Sequence, residues 1–169
     1  MATIATIDAQ FKEIKAEGNA AFKSGKYEKA ISLYTKCIEL KNDEPTVYVN
    51  RANTYNKKSA FFNVLDDCNK AIKLDPTYAK AYYWRASAFK ELFRFNLAIE
   101  DYEKVVSLEP DNKSIEPAIK KIKELLAKDE RLDLKLYPKP EEFRSTKPMQ
   151  TFELNGQYSG IKQYSLIAK

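Results

Sequence analysis

Glu17-Gly18-Asn19, Arg51-Ala52-Asn53 and Arg85-Ala86-Ser87 are one triplet written three times, 34 residues apart. The spacing persists outward from it. Small residues stand at 18, 52 and 86, and Ala21, Tyr55 and Phe89 follow three positions later. Further along each unit come Ala30, Val64 and Ala98, then Tyr34, Cys68 and Tyr102, then Cys37, Ala71 and Val105. The second and third units close on Asp75-Pro76 and Glu109-Pro110. A fixed period of this length marks stacked helix–turn–helix units, each burying an apolar face against its neighbour. The expected fold class is all-α: a solenoid of three such repeats with a concave groove.

The period sets the expected helices. They fall near residues 9–24, 27–40, 45–57, 60–74, 78–92 and 95–108. Gly25 ends the first, because glycine accepts the left-handed conformation at a helix C-terminus. Pro45 suits the first turn of the third, where its missing N–H is no loss. Ile119, Ile122, Leu125 and Leu126 share one face of a seventh helix, near 114–129, with Pro117 in its first turn. A solenoid needs such a helix to cover the apolar side of its last repeat. The organisation is then a loose N-terminus at 1–8, a repeat domain with capping helix at 9–130, and an extended tail at 131–169. Pro138 and Pro140 exclude helix from residues 134–140 of this mostly non-helical tail, and Asn155-Gly156 is a hairpin-turn dipeptide.

Composition excludes several chemistries. The 169 residues contain no histidine, so no His-based triad, Cys–His couple or His-ligated zinc can form within them. With four glycines there is no Gly-rich phosphate loop. Asp66-Asp67 and Glu141-Glu142 are adjacent, and adjacent helical residues point apart, so neither makes an acid/base couple. Cys37 and Cys68 sit at small-residue positions of second helices and read as core packing. Net charge is +5, with lysines mixed among glutamates as on solvated helix faces. No basic-aromatic stripe suggests nucleic acid, and no apolar run approaches the ~20 residues of a membrane span. Met1 to Gln10 carry neither Lys nor Arg nor a long apolar stretch, which argues against a targeting peptide. The expectation is a cytoplasmic, non-enzymatic chain without cofactor or metal.

The small/large alternation and closing prolines resemble the tetratricopeptide repeat (TPR), over about 120 residues in register. In such arrays the first helix of each repeat lines the groove. Lys15 and Asn19 share one face of the first helix, Asn50 lies on the third and Lys80 opens the fifth. Ammonium and amide donors from three helices suit a carboxylate, at roughly 1.5–3 kcal/mol per charge-assisted bond before desolvation. The set Lys15-x-x-x-Asn19, Asn50 and Lys80 resembles the two-carboxylate clamp of co-chaperone TPR domains. That resemblance implies a partner: the C-terminal Glu-Glu-Val-Asp peptide of a ninety- or seventy-kilodalton-class heat-shock chaperone. Lys15, Asn19 and Asn50 would hold the terminal carboxylate, Lys80 the Asp side chain, and Phe22 an apolar ligand side chain. One position departs from the pattern. Trp84 stands where most clamps carry Arg, and Arg85 lies about 100° away around the helix. This implies altered or weaker ligand binding, with Trp84 lining the groove or packing structurally.

Two other readings stand beside the adaptor. The chain resembles the regulatory region of TPR serine/threonine phosphatases, with Tyr158-Ser159-Gly160-x-Lys162 loosely like their linker. Alternatively it is a structural scaffold whose groove holds its own tail. Residues 131–169 could also contact a second protein.

Overall fold

The computed structural model describes residues 4–128, and the expectations for 131–169 lie outside the described residues. Seven helices occupy the described residues: α1 (Ile4–Lys23), α2 (Tyr27–Leu40), α3 (Pro45–Lys57), α4 (Phe61–Leu74), α5 (Ala79–Glu91), α6 (Phe95–Leu108) and α7 (Glu116–Lys128). Each packs on the next, and α1 also meets α3 as α3 meets α5. The first helices of the repeats therefore form one continuous wall.

The repeated small residues set how closely the helices of a pair approach. Ala52 and Ala86 are fully buried. At Gly18 an added Cβ would lie 2.8 Å from Cε1 of Tyr34, so only hydrogen fits there. Ala30, Cys37, Val64, Cys68, Ala71 and Ala98 are likewise completely buried. Burial pushes both thiols up, Cys68 most, so each cysteine packs as a small apolar side chain.

The turns repeat as well. Gly25, Ser59 and Phe93, each 34 residues from the next, all have positive φ, at 72°, 57° and 57°. Just after them, Lys26, Ala60 and Arg94 donate backbone N–H bonds to the carbonyls of Ala21, Tyr55 and Phe89, closing each first helix with a six-residue ring. Between repeats the Tyr48 hydroxyl donates to the Asn42 carbonyl at 3.1 Å, and Tyr82 does the same to Pro76 at 3.1 Å.

Two ion pairs, each a buried carboxylate with a partly buried guanidinium, join three helices each. Arg51 on α3 donates to both Asp67 oxygens on α4 (2.9 and 2.7 Å) and to Thr35 on α2 (2.8 Å). One repeat on, Arg85 donates to both Asp101 oxygens on α6 (each 2.7 Å) and to Asn69 on α4 (2.7 Å). Burial pushes the Asp67 and Asp101 carboxyls up, and the guanidinium facing each opposes the rise.

Two expectations need correction. Residues 4–8 are not loose: α1 begins at Ile4. Ile7, Phe11 and Ile14 continue one apolar stripe toward the N-terminus, Phe11 is 6% exposed, and Asp8 pairs with Lys41 at 3.1 Å. That pair fastens the extra turn to the end of α2. On α7, Ile122 is buried and Ile119 and Leu126 pack partly on the α5–α6 core, but Leu125 is 36% exposed. One 100° step separates Leu125 from Leu126, and only Leu126 reaches the core.

Removing one partner of the Arg85–Asp101 pair strands a buried charge. Asp101→Ala is expected to lower unfolding free energy by about 3–5 kcal/mol in urea titrations. Ser59→Gly should act oppositely, raising stability by about 0.5–1 kcal/mol in the same titration, because glycine carries no left-handed penalty.

Candidate functional site

The α1–α3 seam is laced by side chains one turn apart on each helix. The Lys15 Nζ donates to Thr46 Oγ1 at 2.7 Å. One turn along, Asn50 Nδ2 donates to Asn19 Oδ1 at 3.2 Å. Asn19 Oδ1 also accepts from the Tyr34 hydroxyl on α2, at 2.8 Å. With its oxygen engaged twice, Asn19 has its NH2 group left without a partner among the described residues. Lys15 has two further ammonium hydrogens beyond the one given to Thr46, and lies 5.6 Å over the Phe11 ring.

Around these groups is a hollow of about 210 Å³, lined by Asn19, Phe22, Lys23, Tyr34, Asn50 and Asn53. Phe22 supplies its apolar side, with its ring 5.9 Å from that of Tyr27. Burial, helped by nearby Cys37, pushes the Tyr34 hydroxyl up to about 12, so it remains a donor across the working pH range.

Three of the six residues expected from the sequence thus meet at the hollow: Asn19, Phe22 and Asn50. Lys15 lies on the same α1–α3 seam, outside the hollow's lining. Lys80 and Trp84 are on α5, outside the hollow's lining. Lys80 is exposed in the first turn of α5, with no ion-pair partner among the described residues. Trp84 is half-buried, packs edge-on against Tyr83 at 5.1 Å and touches two core clusters. Arg85 is committed to Asp101 and Asn69 and does not substitute for the missing clamp arginine. A larger depression of about 620 Å³ lies between α6 and α7 and contains none of these residues.

Sequence reasoning missed Tyr34, Thr46, Lys23 and Asn53. Asn53 was legible in principle as the 34-residue counterpart of Asn19, and Thr46 as that of Lys80. Tyr34 was legible only as a core aromatic, because its hydroxyl bond crosses between helices.

Known proteins share the repeat and the fold. The TPR repeat family matches residues 18–59, and the Tetratricopeptide repeat family matches residues 79–112. The first TPR domain of Spaghetti (RPAP3), solved bound to the HSP90 peptide SRMEEVD, is 37% identical, with a TM-score of 0.69 over 70% of this chain and 94% of that one. The chain belongs to the tetratricopeptide-repeat family. Mouse RNA polymerase II-associated protein 3 is 41% identical over 117 residues, covering 69% of this chain and 18% of that protein. Rat serine/threonine-protein phosphatase 5 is 38% identical over 102 residues, covering 60% and 20%. The chain therefore spans about a fifth of the length of these two relatives. No helix among the described residues is long and apolar enough to cross a membrane.

Burial also pushes the Tyr102 hydroxyl up to about 12. Unfolding would return both tyrosines to their ordinary value of 10. The unfolded chain then loses protons first, so stability is intact below pH 10 and falls as pH rises toward 12. Melting temperature is expected to decline across that window. A profile as steep in Tyr34→Phe as in the wild type would remove Tyr34 from this account.

Proposed function

We propose that the wall formed by α1, α3 and α5 binds the acidic C-terminal peptide of a ninety- or seventy-kilodalton-class heat-shock chaperone. The chain then acts as a non-enzymatic adaptor, and its place of work is the cytoplasm. The observation that carries this reading is the Asn50–Asn19–Tyr34 hydrogen-bond chain, which engages the Asn19 oxygen and leaves its NH2 group uncommitted, one helical turn from Lys15. Amide and ammonium donors held in place across two helices suit a terminal carboxylate, whose two oxygens accept several such bonds. Similarity to the Spaghetti domain, which binds an HSP90 peptide, supports the same assignment.

In this reading Lys15, Asn19 and Asn50 hold the terminal carboxylate. Lys80 faces the ligand's Asp side chain, and Phe22 packs an apolar ligand side chain. Trp84 is the repeat counterpart of Asn50 and offers an aromatic face where a guanidinium would give bidentate bonds. A ligand gains packing there and loses charge pairing.

Identity to phosphatase 5 favours a second reading, in which these repeats regulate a catalytic domain elsewhere in a longer protein. Phosphatase activity in the native protein that rises on peptide addition would support it. The two readings share one groove and one ligand.

Calorimetry with the peptide Ser-Arg-Met-Glu-Glu-Val-Asp tests the groove. A dissociation constant on the order of micromolar is expected, weakening with added salt. Asn50→Ala and Lys80→Ala should each weaken binding by about tenfold, and C-terminal amidation should abolish it. Absence of heat at high micromolar wild-type protein sinks the reading.

A further inference from the structure

We infer that Asn53 contacts the ligand, its carboxamide pairing with a main-chain peptide unit of the bound peptide. This deepens the peptide-binding reading above and rests on it. The argument comes from the repeat. Asn53 is the counterpart of Asn19, 34 residues on. In the first repeat, Asn19 Oδ1 accepts from Tyr34 and Asn50. One repeat later Cys68 stands in place of Tyr34, and Trp84 in place of Asn50. Neither bonds Asn53, whose Oδ1 is buried with no hydrogen-bond partner among the described residues.

Folded proteins rarely leave such an atom unpaired, since it forfeits the bonds it would make in water. Packing does not require asparagine here. Ser87, the counterpart in the third repeat, is smaller, and an apolar residue would avoid the loss. What asparagine adds is an acceptor and two donors on one rigid plane. Asn53 lines the same hollow as Asn19, Phe22 and Asn50. A turn about its χ2 presents the amide edge to a peptide seated there. That edge matches the N–H and C=O of an extended chain. The contact reads the backbone and is indifferent to the ligand side chain at that position.

The test titrates wild type and Asn53→Ala with Ser-Arg-Met-Glu-Glu-Val-Asp, and with the same peptide N-methylated at one main-chain amide at a time. Asn53→Ala should bind about tenfold more weakly, the equivalent of one hydrogen bond. Its melting temperature should equal or exceed the wild-type value, because an unpaired buried oxygen has been removed. One methylation should weaken wild type and leave the variant unaffected. The inference is overturned if the variant binds within about twofold of wild type. It is also overturned if affinity and melting temperature fall together, or if every methylation weakens both proteins equally. If wild type itself fails to bind, the groove reading falls and takes this assignment with it. If wild type binds and Asn53→Ala matches it, only this assignment falls.

Discussion

Two arginines sunk among helices set the register of the solenoid. Arg51 grips Asp67 in a fork and reaches back to Thr35, and Arg85 repeats the arrangement with Asp101 and Asn69. Each guanidinium ties the two helices of its own repeat to the second helix of the repeat before. Through them α2, α3, α4, α5 and α6 become one connected body. A planar fork with five donors can do this, and a lysine cannot. The aspartates are 4% and 6% exposed, so water screens the pairs poorly and their geometry is demanding. A helix rotated by one residue would lose the fork. The wall on which the hollow lies therefore inherits its precision from pairs on its far side.

The first repeat has no such pair. Glu17 and Leu33 occupy the equivalent positions. Its helices are held by Gly18 against the Tyr34 ring, by the extra N-terminal turn pinned through Asp8 and Lys41, and by Lys58 reaching Glu28. The α1–α3 seam adds Lys15–Thr46 and Asn19–Asn50. Groups proposed to bind a ligand thus also join α1 to α3. Binding and folding share these side chains, so the site is largely formed before a ligand arrives. A pre-formed site avoids the entropy of ordering donors at the moment of binding.

Asymmetry among the repeats gives the groove its character. At one equivalent pair of positions the chain has Thr46 and Asn50, and a repeat later Lys80 and Trp84. The α1–α3 seam is polar and interlocked. On α5, Lys80 is exposed with no ion-pair partner among the described residues, and Trp84 packs against two apolar clusters. A stack of identical repeats would offer the same chemistry at every step and could not fix where a peptide ends. The change from asparagine to tryptophan breaks that translational symmetry.

The 34-residue period, the closing prolines and Gly25 were enough to specify the six repeat helices and nearly all their boundaries, because a repeat buries its apolar face in only one register, and the apolar stripe from Ile119 to Leu126 marked the seventh. The Trp84 departure was equally visible, and so was the misfit of Arg85, which follows from the helical step alone. The N-terminal turn was misjudged because its stability comes from Phe11 and the Asp8–Lys41 pair, contacts across helices. The aspartates gripped by Arg51 and Arg85, the hydroxyl of Tyr34 engaged by Asn19 and the orphaned oxygen of Asn53 needed the packed structure. Hydrogen-bond partners some 15 to 30 residues apart are chosen by how helices pack, and side-chain identity at one position carries no record of what lies opposite. The sequence by itself determined the architecture and the list of donors. Only the tertiary structure decided which donors are already engaged and which remain for a ligand.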